Sequence, residues 1–191
     1  MPADLSRLLN ALGLVAVDTV LVLAFADQLW FRDLPRPICI LQRAGFVAAG
    51  FGLALNLMFG PRPGHYGLAI LGAMVGGVMS ADQALHYIVP ETGSYGNAVF
   101  GLHLYTWALI AFVGLVVASS VMLLFDRQFD PAGPLPLRLG VLPMTAVALL
   151  ALLAVGNVVS TLAICGVGLC PEVPGGYLIF HENLGLALKS P

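Results

Sequence analysis

Charge is scarce in this chain. Lys and Arg number 8 and Asp and Glu 10 among 191 residues, 9% in all, against roughly 25% in a soluble domain. A soluble globular class is therefore excluded. No basic run exists and the net charge is −2, which excludes nucleic acid as a partner. Cysteine is scarce as well: Cys39, Cys165 and Cys170 are the whole set, and an odd count leaves at least one without an intramolecular partner. Two thiolates without a second pair nearby fall short of a closed zinc set, so no metal is expected. No small-x-small cleavage pattern precedes Asp27, and the apolar run behind Arg7 reads as a retained helix rather than a removed signal. Internal repeats and low-complexity tracts are missing too, so a single membrane domain over 1–191 is expected.

What the chain has in plenty is apolar sequence, 59% of its residues. About 20 apolar residues cross a hydrocarbon core as helix. Five runs qualify, at about 8–30, 38–59, 66–89, 103–125 and 139–164, leaving a tail at 165–191. The connectors carry the breakers, Pro35 and Pro37, then Pro61 and Pro63, Pro90, and Pro131 to Pro136. Gly72, Gly76 and Gly77 form a small-residue ridge on the third run, suited to close helix contact. Pro143 falls within the first turn or two of the fifth, and 177–188 reads as a short amphipathic helix lying on the membrane surface.

Five spans put the termini on opposite sides. With the N-terminus cytoplasmic, Arg7, Arg62, Arg127 and Arg138 lie inside and Arg32, Arg36, Arg43 and Lys189 lie outside or near it. Four against four silences the positive-inside rule. Cys165 and Cys170, flanking a Gly-rich turn, suit an oxidising compartment and place the tail on the exoplasmic side.

The chemistry concentrates at 34–43, Leu-Pro-Arg-Pro-Ile-Cys-Ile-Leu-Gln-Arg. Cys39 and Arg43 stand four residues apart and share a helix face. One reading is a thiol beside a cation that favours its thiolate, with Arg43 able to donate to a quinone carbonyl. The other is a small buried apolar Cys and an arginine reaching for the headgroups.

The segment resembles the signature of the disulfide-bond formation protein B (DsbB) family, Pro-Cys-x-x-Cys-x-x-(Glu/Gln)-Arg at the outer end of the second helix. Leu29-Trp30-Phe31 fits that family too, as does Phe100-Gly-Leu-His-Leu-Tyr-Thr-Trp107, similar to the opening of its fourth helix. The resemblance covers roughly 10–125. It implies an all-α integral membrane protein, a DsbB-like four-helix bundle to which this chain adds a fifth transmembrane helix and a short exoplasmic tail. By resemblance, Cys39 takes the place of the second motif cysteine and Arg43 that of the arginine contacting ubiquinone or menaquinone, with Gln42 and Trp107 nearby. The implied setting is a bacterial inner membrane, N-terminus cytoplasmic and C-terminus periplasmic, with a thioredoxin-like periplasmic partner.

Two departures matter. Arg36 stands where the first motif cysteine belongs, and the segment 90–101 holds no cysteine. Disulfide exchange needs an attacking thiolate and a disulfide whose second sulfur leaves, so Cys39 alone cannot complete dithiol oxidation. Cys165 and Cys170 are close enough in sequence to pair, either as a structural clasp or as a relocated redox pair relaying to Cys39. Asp82, His86 and His103, at similar depth in the third and fourth spans, are candidates for proton relay to the quinone, or else a polar helix contact. Spacing alone does not carry a haem, and none is expected. Asp18, Asn56 and Asn157 lie deeper and are expected to face the bundle interior. The expected function is a DsbB-like, quinone-binding redox protein with an altered cysteine set, a thiol:quinone oxidoreductase if catalytic. The alternative is a non-catalytic accessory subunit anchoring a larger membrane electron-transfer complex.

Overall fold

The computed structural model describes residues 3–30, 34–88, 98–129, 140–166, 168, 170 and 176–177. Five helices dominate: α1 Ala3–Trp30, α2 Pro37–Phe59, α3 Pro63–Ile88, α4 Leu104–Leu123 and α5 Val141–Cys165. All five are long and apolar enough to cross a membrane. The chain is a multi-pass, helical membrane protein.

The helix boundaries follow local chemistry. α2 and α3 both begin at proline, whose fixed φ and missing N–H suit the first helical turn. This carries α3 three residues upstream of the span expected from hydropathy. α1 likewise starts at Ala3 rather than near Leu8, because Ser6 and Asn10 are held by buried partners. Gly60 takes φ 85°, a turn only glycine adopts cheaply, and ends α2. Pro143 is the third residue of α5, where it displaces no helical hydrogen bond.

One element lies outside the all-helical expectation. Ala98–Val99 (β1) pairs antiparallel with Leu102–His103 (β2), a two-residue hairpin that turns at Phe100 and Gly101. His103 thus precedes the fourth helix instead of opening it.

Packing between helices rests on small residues, since lipid tails compete equally for any apolar face. α2 lies in the middle, against α1, α3 and α5. A Cβ on Gly72 would sit 2.6 Å from the Ala49 nitrogen, and one on Gly45 would sit 2.7 Å from the Gly76 Cα. Gly76 also receives the Phe112 ring, which stacks on Phe46 with centroids 3.8 Å apart. The glycine ridge read from the sequence is therefore the α2–α3 seam, and it seats α4 as well.

At the Gly60 end, a buried polar network closes the bundle. Asn56 donates to Asn10 Oδ1 at 3.0 Å, Asn10 donates to Tyr66 Oη at 2.7 Å, and Ser6 and Tyr66 both donate to Gln128 Oε1. Asn56 Oδ1 also accepts from the Arg62 backbone N–H and approaches His65 Nδ1 at 3.1 Å. Four segments far apart in sequence are joined, and each buried dipole has a partner. Asn157 and Asp18 are buried as expected, but Asn157 Oδ1 and both Asp18 oxygens lack a hydrogen-bond partner among the described residues.

Candidate functional site

At the opposite end from that network, α1, α2, α3, α4 and the hairpin enclose a cavity of about 920 Å³. Its walls are mostly apolar side chains of α1 and α4, with Phe46 from α2 and with Val99 and Phe100 of the hairpin at its edge. Its polar lining groups are Asp27 from α1, Cys39, Gln42 and Arg43 from α2, Gln83 from α3, and Tyr105 and Trp107 from α4.

Each is placed by its helix. Cys39, Gln42 and Arg43 occupy one face of the first turns of α2, at offsets of three and four. Gln42 Nε2 donates to Gln83 Oε1 at 2.9 Å, and Cys39 Sγ lies 3.9 Å from the Gln83 amide. Gln83 therefore spans the α2–α3 seam and sits over the thiol. Arg43 donates to Gln28 Oε1 at 2.6 Å and to the Ala24 carbonyl at 2.7 Å, and its guanidinium carbon lies 4.8 Å from the Phe25 ring centre. A charged side chain 7% exposed within a span needs this degree of satisfaction. Trp107 donates from Nε1 to the Val99 carbonyl at 3.0 Å, tying the hairpin to α4 at the cavity edge. Trp30 is 84% exposed, whereas Tyr105 is buried.

The relay candidates are divided. Asp82 and His86 lie on the exposed face of α3, away from the cavity wall. His86 packs edge-on to Tyr87 at 5.1 Å, Tyr87 lies 5.6 Å from Tyr105, and His103 stacks on Tyr105 at 5.3 Å. Among the described residues, ring contacts connect both histidines to the tyrosines, of which Tyr105 lines the cavity. His103 Nδ1 is buried with no hydrogen-bond partner among the described residues. Arg36, in the place of the missing cysteine, donates to Tyr87 Oη at 2.5 Å.

Cys165 and Cys170 form a disulfide with Cα atoms 4.4 Å apart. It does not line the cavity. Cys165 and Ile164 pack on Ile40, the neighbour of Cys39, together with Leu34, Cys170 and Tyr177. Cys39 is the free cysteine of the chain. Among the described residues, no group of three His, Cys, Asp or Glu side chains is placed to hold a metal. The surface helix expected at 177–188 lies outside the described residues apart from Tyr177.

Sequence reading missed Gln28, Gln83 and Tyr105. The two glutamines carried a usable signal, since an amide inside an apolar span is costly unless it faces a partner.

With Cys39, Gln42 and Arg43 gathered on one face, a comparison with known families bears on the site. Residues 6–92 match the family of disulfide bond formation protein DsbB. The match is consistent with a DsbB family member, and it takes in α1, α2, α3 and the whole 34–43 motif. No curated protein and no solved structure matches the chain. The DsbB-like segment supplies most of the cavity's polar groups, while α4 and the hairpin, beyond the match, complete its wall.

Proposed function

We propose that the chain is a DsbB-like, quinone-binding membrane redox protein of the bacterial inner membrane, with its N-terminus cytoplasmic and its C-terminus periplasmic. The carrying observation is the cavity: mostly apolar walls that carry Arg43, Gln42, Gln83, Cys39 and Asp27 as polar groups. Its volume of about 920 Å³ falls in the ~300–1,000 Å³ range of small-molecule sites. Such a lining suits a ligand with a long apolar body and a flat head carrying carbonyl acceptors, as in ubiquinone or menaquinone.

A quinone supplies a two-electron, two-proton acceptor. Arg43 is the residue that would donate to a head carbonyl, its guanidinium being suited to a carbonyl acceptor. Gln42 and Gln83 orient the head, and Trp107 holds the hairpin against it. Tyr105, which lines the cavity, with His103 stacked on it, is the candidate for proton supply; Asp82 and His86, on the exposed face of α3, are the more remote candidates. The thiol side is altered from the family pattern. Cys39 is one cysteine where exchange needs two, so any dithiol exchange with a thioredoxin-like partner falls to Cys165 and Cys170.

That isolation of Cys39 is also the observation favouring the second reading, an accessory subunit that keeps the quinone pocket inside a larger membrane complex. One experiment separates them. Purified protein is mixed with a reduced thioredoxin-like protein and a short-chain ubiquinone, and quinone absorbance is followed. Catalysed loss of the quinone band supports the oxidoreductase; saturable quinone binding without turnover supports the subunit. No binding at all rejects both.

A further inference from the structure

Arg43 is held from one side by a residue that is itself held from another part of the chain. Gln28, 4% exposed, accepts from Arg43 at 2.6 Å. Its amide also meets Ser160 Oγ of α5 at 2.9 Å and Tyr177 Oη of the tail at 3.3 Å. Tyr177 in turn packs with Cys170, Cys165, Ile164, Leu34 and Ile40. The Cys165–Cys170 bond lies in that same small core, immediately past the end of α5. α5 and the tail both lie beyond the family match at 6–92.

From these contacts we propose that Ser160 and Tyr177 are positioning residues for Arg43, and that the Cys165–Cys170 clasp makes this positioning sensitive to redox state. An amide side chain rotates freely unless its ends are fixed. Ser160 and Tyr177 fix the amide of Gln28, so that its oxygen faces Arg43. The clasp restricts where the segment after α5 can go, which keeps Tyr177 within reach. Reduction by a protein dithiol cleaves the S–S bond. Cys165 and Cys170 become two thiols, the reductant becomes a disulfide, and two electrons and two protons pass to the clasp. The covalent part of the restraint on Tyr177 is then lost and only its packing remains, so Gln28 is aimed less firmly by one of its two partners.

The proposal rests on the quinone reading only for its effect on affinity, so its test uses a readout independent of quinone. Phenylglyoxal labelling of Arg43 is timed by peptide mass spectrometry in purified full-length protein, with and without dithiothreitol. Loss of one ordinary hydrogen bond corresponds to about fivefold in the population of released arginine. Accordingly, labelling of Arg43 rises about fivefold on reduction and in the double variant Cys165→Ser, Cys170→Ser, which no longer responds to dithiothreitol. Tyr177→Phe keeps the ring packing and the disulfide and removes only the hydroxyl; it raises labelling to a similar extent. Circular dichroism confirms unchanged helix content, and should the double serine variant fail to fold, Tyr177→Phe and reduction of the wild type decide. Unchanged Arg43 labelling in both overturns the proposal. Raised labelling in a protein that binds no short-chain ubiquinone upholds the positioning and rejects the quinone site.

Discussion

Arg43 shows how a charge is made tolerable inside a span. Its guanidinium is satisfied by Gln28 and the Ala24 carbonyl and lies over Phe25, all on α1. A lysine cannot reproduce that planar fork. Replacing Arg43 by Lys should weaken short-chain ubiquinone binding about tenfold, and Arg43→Gln should weaken it by up to ~100-fold, the range of a hydrogen bond to a charged group. Titration of tryptophan fluorescence from Trp30 and Trp107, both at the cavity, checks both, and equal affinity in all three proteins would reject the role of Arg43. Cys39→Ala should leave that affinity within about threefold, since a thiol 3.9 Å from an amide is a weak bond. Any thiol-driven quinone loss should instead disappear in the Cys165→Ser, Cys170→Ser double variant, since that pair carries the dithiol exchange. At the far end, Asn56 serves Asn10, His65 and the Arg62 N–H at once. Asn56→Ala strands those partners and should cost ~1–3 kcal/mol in unfolding by denaturant in detergent.

At the scale of the element, α2 decides the site because it touches all four other helices and carries Cys39, Gln42 and Arg43 on one face. Its contact with α3 is set by glycine. Any side chain at Gly72 enters the Ala49 backbone, so the helices must separate. Gly72→Leu should destabilise the protein by ~1–3 kcal/mol, measured by thermal unfolding. It should also weaken quinone binding, because Gln83 on α3 reaches Gln42 only across that seam. Gly114, whose Cβ would meet nothing within 4 Å, is the control; Gly114→Leu should leave affinity unchanged. The hairpin is a different kind of element. Phe100 holds a positive φ of 51° at its tip and is 94% exposed, a conformation disfavoured for an aromatic residue. The Trp107 bond to Val99 holds the hairpin in place.

The whole molecule reads as two closures around a central helix. A polar network seals one end, and the cavity occupies the other, covered by the hairpin and flanked by α5 and its disulfide. With five spanning helices, reporters fused to the two termini should appear on opposite sides of the membrane, the C-terminal one periplasmic. Matching signals on one side would mean that one helix does not span.

Local sequence was enough for the number of spans, their membrane setting and the motif at 34–43. These depend on local quantities: a run of apolar residues long enough to cross hydrocarbon, breakers between runs, and fixed spacing on a helix face. The glycine ridge was legible for the same reason, since small residues at helical spacing mark a seam wherever it lies. Tertiary structure alone decided which faces meet. Spans that are apolar all round carry no amphipathic stripe to say which side turns inward. Hence Gln28 and Gln83 emerged as partners of Arg43 and Gln42, while Asp82 and His86 faced outward. It also decided that Cys165 and Cys170 pair beside Ile40 rather than inside the cavity, because the position of a tail against α2 depends on contacts more than a hundred residues apart in the chain.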